Sequence, residues 1–160
     1  FNDLYLRRSQ RTMIYLDASY LVKLYTDEPG ADEVIGWAEG KGEFACVMHG
    51  RLELVSALKR HQREGSLTSQ RLKALIQLLE KDESSGLIRW LPFTEEMVKT
   101  VCQQVLDLPA AVFLRAADAL HLACAADAGL DEIYSHDRHL LAAAPHFGLR
   151  GRDIISPKSQ

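Results

Sequence analysis

What the chain has little of narrows its class before any motif is read. It has three cysteines, Cys46, Cys102 and Cys124, with no C-x-x-C pair among them. That excludes a disulfide framework and points to reduced thiols in a cytoplasmic protein. No uncharged apolar run approaches the length of a membrane span. The N-terminus lacks the apolar core of a signal peptide. Basic charge is not in excess either, with 19 Lys+Arg against 22 Asp+Glu and a net of −3. With no global positive field to gather nucleic acid, such a role would need a local basic surface or metal ions. Linkers, low-complexity tracts and internal repeats are also missing.

What is present is a length of 160 residues, 47% of them apolar and 26% charged, which suits one soluble domain with a substantial core. Residues 1–12 carry Arg7, Arg8 and Arg11 and show little periodicity. They are expected to be a leader ahead of a start at Met13, or a disordered arm, with the domain over 13–156 and a tail at 157–160.

From Met13 onward, strands and helices alternate. Met13–Leu16 reads as a buried strand, followed by helices over Ala18–Thr26 and Ala31–Ala38. Glu43–Met48 is a second strand, His49-Gly50 a lead-in, and Arg51 to about Glu64 a helix with a basic far end. That basic end reads chiefly as a solvated helix face. A long amphipathic helix is expected over Ser66–Lys81, then a strand over Leu87–Leu91, and a helix capped by Thr94. An Ala- and Leu-rich helix spans Leu114–Ala126. Glu132–Ser135 is a fourth strand and Asp153–Ile155 a short fifth. The pattern argues a three-layer α/β domain with a central, mainly parallel sheet of four to five strands flanked by helices.

Four acids fall at comparable places in this pattern. Asp17 and Asp137 follow strands, Glu53 lies in the helix after a strand, and Asp118 interrupts an apolar helix that precedes one. In a parallel α/β sheet such positions can converge on the carboxyl edge near the switch point, where ligands bind. Each has a plainer reading. Asp137 suits a helix N-cap, Asp118 a salt bridge to Arg115 three residues earlier, and His121 a satisfied core histidine. Four carboxylates together raise one another's pKa unless a counter-charge intervenes. Oxygen ligands without cysteine suit a hard cation such as Mg²⁺ or Mn²⁺. The chemistry that such a site supports is phosphodiester hydrolysis by a metal-activated water, with Ser19 placed to orient a carboxylate or water.

Four segments then carry a resemblance: Leu16-Asp17-Ala18-Ser19, Arg51–Leu58, Ala117-Asp118-Ala119-Leu120-His121-Leu122-Ala123 and Ser135-His136-Asp137-Arg138-His139-Leu140. In this order they resemble the PIN-domain family, and in particular the VapC toxins of prokaryotic toxin–antitoxin pairs. The resemblance implies a flavodoxin-like order of parallel strands and a Mg²⁺-dependent endoribonuclease, with Mn²⁺ as a possible substitute. It places catalytic and metal-binding roles on Asp17, Glu53, Asp118 and Asp137, with supporting polar roles on Ser19 and Ser135. His136 inherits no role. It also implies an RNA substrate, a homodimer, and a cognate VapB-like antitoxin whose tail brings a basic side chain into the acidic site. The apolar helices at 18–38 and 66–81 could offer an interface, although core packing is their default.

Three other readings remain. A non-catalytic PIN-like module binding RNA or protein would use the same acids for capping and for metal-independent contacts. A phosphoacceptor domain would want adjacent acids early in the chain and a Lys after a late strand, and Ser135-His136-Asp137 supplies none. A His/Asp metal phosphohydrolase, suggested by His136-Asp137, lacks further His–metal spacing.

Overall fold

The structure, a computed structural model, describes residues 13–155. The expected leader or arm at 1–12 and the end of the chain from residue 156 lie outside the described residues. Five parallel strands form the central sheet: β1 (Ile14–Leu16), β2 (Phe44–Val47), β3 (Ile88–Leu91), β4 (Glu132–Tyr134) and β5 (Arg150–Arg152). Parallel strands need crossovers, and helices supply each one. The crossovers are α1 (Ala18–Lys23), α2 (Ala31–Ala38), α3 (Met48–Arg63), α4 (Ser69–Ser85), α5 (Glu95–Leu106), α6 (Ala116–Asp127) and α7 (Arg138–Ala143), with a 3₁₀ turn at Ala144–Phe147.

The strand order is β3-β2-β1-β4-β5. The three-layer class is as expected, while the order places β3 outside β2, unlike the 2-1-3-4-5 of flavodoxin. The first two crossovers step outward in one direction. The chain then returns to pair β4 with the free edge of β1, so Tyr15 stands in register with Ala45 on one side and Ile133 on the other. Right-handed crossovers that reverse direction place helices on both faces. The point of reversal lies between β1 and β4, and in open α/β sheets ligands bind at the carboxyl edge of such a point.

The core explains the strands. Tyr15, Leu16, Ala45, Cys46, Val47 and Ile133 are fully buried, as central parallel strands between two helical layers must be. On α6, Leu122 and Ala125 are fully buried beneath them.

Several boundaries differ from the sequence expectations, each for a local reason. Helix α1 ends at Lys23 and not Thr26, with Leu24 as its C-cap and the Thr26 hydroxyl donating to the Val22 carbonyl at 2.9 Å. Helix α4 is shifted to Ser69–Ser85. Thr68 caps it by accepting from Arg71 N at 3.1 Å, and the hydroxyls of Ser84 and Ser85 bond back to helix carbonyls and prolong it. The Ala- and Leu-rich helix starts at Ala116, with Arg115 as its N-cap, which places Asp118 in the first turn. The fifth strand is Arg150–Arg152, not Asp153–Ile155. Gly151 lies so close to Leu141 that a Cβ would stand 3.0 Å from that residue's backbone, so the strand forms where a glycine permits the approach.

Helix α3 begins at Met48, directly from β2, and takes in His49 and Gly50. Gly50 is therefore no lead-in. A Cβ there would overlap the Cys46 Sγ and come within 3.3 Å of the His121 ring. Its bareness lets α3 sit against the buried end of β2. Gly50→Ala is expected to cost about 1–3 kcal/mol by overpacking, read as a lower urea midpoint, and Cys46→Ala in the same chain should recover part of it. An unchanged midpoint for Gly50→Ala would refute this close-approach account.

Candidate active site

Asp17 ends the central strand and is 5% exposed. It caps α1, its carboxylate accepting from Tyr20 N at 3.0 Å. Two hydroxyls complete its shell: Ser19 donates to Oδ1 at 2.6 Å and Ser135 to Oδ2 at 2.5 Å. Each serine also accepts from the loop after β4, Ser19 from His136 N and Ser135 from Asp137 N. The two expected supporting residues thus bind the acid and fasten the end of β1 to the β4–α7 loop. Burial still pushes the Asp17 carboxyl above its ordinary pKa, against the pull of His121 and the two serines.

Asp118 has no such shell. Its Oδ2 is buried and has no hydrogen-bond partner. The ion pair with Arg115 that was its plainer reading is not made; the Arg115 guanidinium instead stands 3.6 Å from Asp137 Oδ2. Burial, and then the nearby charge of Asp137, push Asp118 above its ordinary pKa; Asp17 adds to the rise, and Arg115 and His121 oppose it. Asp137 keeps the capping role considered for it, its Oδ1 accepting from His139 N at 2.7 Å and Leu140 N at 3.3 Å. The structure thus brings Asp17 and Asp137 within electrostatic reach of Asp118.

Glu53 reaches the same edge through an intermediary. His121, 2% exposed, pairs through Nε2 with Glu53 Oε2 at 2.8 Å. Its Nδ1 pairs with the Tyr15 hydroxyl at 3.0 Å, and that hydroxyl accepts from Val47 N. In both the Nε2–H tautomer and the imidazolium, Nε2 donates to the carboxylate. Burial opposes a charge on His121, but Cys46, Glu53 and Asp17 favour one, and the balance lies well above the ordinary imidazole value. Burial would also raise Glu53, yet His121 outweighs it and holds the carboxyl low. His121 is a satisfied core histidine, as expected, and it is also the residue that fixes Glu53. Its sequence signal was its position one helical turn after Asp118.

His121 offsets part of the negative charge, but Asp17 and Asp118 remain raised and the Asp118 oxygen remains unmatched. A divalent cation would supply the missing partner. Among the described residues, no three His, Cys, Asp or Glu side chains form a group that encloses a metal ion. Mg²⁺ is commonly held by one or two carboxylates and several waters, so the all-oxygen donors Asp118 and Asp17 fit it without a protein cage.

A parallel sheet with acids gathered at its switch point defines a class of edge-binding α/β domains. The chain belongs to the PIN-domain family, whose model matches residues 14–145. It is 30% identical over 142 residues to Ribonuclease VapC47 of Mycobacterium tuberculosis (strain CDC 1551 / Oshkosh), covering 85% of this chain and 93% of that protein. Among solved structures it is similar to M. tuberculosis VapC20, a sarcin–ricin loop cleaving toxin, with a TM-score of 0.63 at 16% identity over 82% of this chain and 95% of that one. FitAcB from Neisseria gonorrhoeae matches with a TM-score of 0.63 at 18% identity, over 87% and 96% of the two chains.

The unmatched carboxylate makes a thermodynamic prediction for metal-free protein. Folding raises the Asp17 and Asp118 pKa values, so their protonated forms favour the fold, and that contribution is lost as pH rises through the raised values. Asp118→Asn should raise the melting temperature in EDTA at pH 7 by a few degrees, on the order of 1 kcal/mol. The gain should shrink toward pH 4. Added Mg²⁺ should stabilise the wild type and not the variant. A lower melting temperature for Asp118→Asn in EDTA would mean that the oxygen has a partner inside the protein.

Proposed function

We propose that the chain is a VapC-like toxin, a Mg²⁺-dependent endoribonuclease held in check by a cognate VapB-like antitoxin. The observation that carries this reading is the buried, unpartnered Asp118 oxygen beside Asp17 and Asp137, at the edge where this fold class binds ligands. The names of the related VapC proteins support the substrate class. Mn²⁺ is the expected substitute metal. The cation, when bound, lowers the pKa of water and offsets charge on the phosphodiester.

The chain's own residues have distinct tasks in this reading. Asp118 and Asp17 hold the cation, Asp17 being kept in place by Ser19 and Ser135. Glu53 has one oxygen occupied by His121 and presents Oε1, which stands 3.6 Å from His49, to accept a proton or orient a water. Asp137, partly neutralised by Arg115, limits the negative charge that the substrate meets. The preferred substrate is single-stranded or loop RNA, because attack in line with the leaving oxygen needs an unstacked phosphodiester.

A cytoplasmic setting suits the three free cysteines, and no helix among the described residues is long and apolar enough to cross a membrane. A homodimer is part of the proposal. The helices at 18–38 and 66–81 send Val34, Leu75 and Leu79 into the core and expose Ile35 and Leu78, while α5 exposes Val98, Val105 and, most of all, Leu106.

Purified protein incubated with cellular RNA should cleave it in Mg²⁺ or Mn²⁺ and stop in EDTA. Asp17→Asn and Asp118→Asn should each lose activity by about 100-fold or more, the scale of losing one electrostatic contact to the transition state. Equal cleavage by wild type and both variants would remove the site from the mechanism. Metal binding without cleavage of any source-cell RNA would favour the non-catalytic binding module.

A further inference from the structure

Helix α3 carries Glu53 near its start and a cluster of cations near its end. Between Leu54 and Arg63 there is no Asp or Glu, while Lys59, Arg60 and Arg63 are all present. The chain as a whole is acidic, so this is a local reversal of sign. A helix C-terminus favours cations through its dipole, which accounts for their presence but not for what they line. Glu53, Ser56, Arg60 and Arg63 follow one another at spacings of three, four and three residues, which sets them along one helix face. That face bounds a shallow groove open to solvent, all of whose lining residues belong to α3, with Glu53 at one end and Lys59, Arg60 and Arg63 toward the other. The small side chains of Ser56 and Ala57 lie between. Among the described residues, none of the three cations pairs with a carboxylate. Lys59 bonds the Gln62 side chain, and the one contact to an acid at this end of the helix is His61 with Glu28.

We propose that this groove binds the backbone phosphates of the RNA strand flanking the scissile bond, with Arg60 and Arg63 as its principal contacts. The inference rests on the nuclease reading and extends it from the reacting phosphate to the strand that carries it. The geometry has a matching scale. Glu53 to Arg63 is ten residues of helix, about 15 Å at 1.5 Å per residue. That is about four nucleotides of a stacked strand and fewer of an extended one. A groove with one acidic end and one basic end also orients the strand. Flanking phosphates are drawn to the guanidinium groups and repelled by Glu53 and its neighbours, so only a phosphate accompanied by a cation settles at the acidic edge. Arg suits this task, because its planar fork can bond two phosphate oxygens at once. The contacts are to the backbone, so they add affinity and register without sequence preference.

The test uses the full chain in EDTA and a fluorescein-labelled oligouridylate of roughly 12 nucleotides, within the range of single-strand site sizes. Wild type is compared with Arg60→Gln/Arg63→Gln, and with Arg71→Gln/Lys73→Gln, which removes equal charge from exposed positions on α4. Fluorescence anisotropy is read across a NaCl series, and circular dichroism checks that each variant is folded. The Arg60/Arg63 variant should bind about 10-fold more weakly, and its slope of log K against log [NaCl] should flatten by about 1.4, for two single-strand phosphate contacts. The Arg71/Lys73 variant should bind like wild type. Equal weakening in both variants, or in neither, overturns the proposal. So does tighter binding of a labelled polyglutamate peptide than of oligouridylate, which would assign the groove to an acidic protein segment. Cleavage of the same oligonucleotide in Mg²⁺ is scored alongside. Selective loss of binding with no cleavage by wild type leaves the groove standing and removes the nuclease reading, whereas cleavage with unselective binding does the reverse.

Discussion

The structure depends on burying one carboxylate at the end of its central strand. A buried charge is costly unless hydrogen bonds replace its water. Asp17 meets that demand with one backbone N–H and two serine hydroxyls, and each hydroxyl draws in a different part of the chain. Ser19 belongs to the first turn of α1 and Ser135 to the end of β4. The same bonds that make the acid tolerable close the seam between β1 and β4. That seam is the topological switch point, so the need to solvate Asp17 shapes the carboxyl edge at which Asp17 stands.

Helix α6 then brings two different groups to that rim from a single turn. Asp118 comes with an oxygen that nothing in the protein satisfies, while His121 comes with both ring nitrogens engaged. The contrast separates their roles. His121 reaches across to Glu53 on α3 and holds it, and through Tyr15 it is tied to the backbone of β2 at Val47. Gly50 permits this arrangement by leaving room beside Cys46 and the imidazole. The site is therefore rigid around Glu53 and Asp17 and electrostatically incomplete at Asp118. Rigid support with one unmet demand is what a preorganised cation site requires.

Much of this was legible in the sequence where a single residue broke a local rule. Asp17 ends an apolar run and Asp118 interrupts an apolar helix, and each break marked a carboxylate that the structure sets near the switch point of the sheet. The alternation of strands and helices yielded the layered class, and Thr94 announced its helix correctly. What was not legible depends on contacts between distant segments. Nothing near Arg115 shows that it turns to Asp137 and away from Asp118, because that choice is set by where β4 ends. The partner of His121 lies 68 residues away on another helix. Gly50 looked like punctuation because local rules read glycine as a breaker, and only the packing of β2 against α3 shows it as a point of close approach. The fifth strand is expected at Asp153–Ile155 from the sequence, yet it forms at Arg150–Arg152, where Gly151 lets the backbone approach Leu141.

In the proposed function, Asp118 and Asp17 together hold a divalent cation at the switch point of the sheet. Anomalous diffraction from crystals of the full chain soaked in Mn²⁺ tests it most directly. A peak is expected at the carboxyl edge between β1 and β4, with Asp118 Oδ2 about 2.1 Å from the ion, the range for a small hard cation. Asp17 should contribute directly or through an ordered water. No peak at millimolar Mn²⁺, or a peak elsewhere with Asp118 Oδ2 bonded to Arg115, would contradict it.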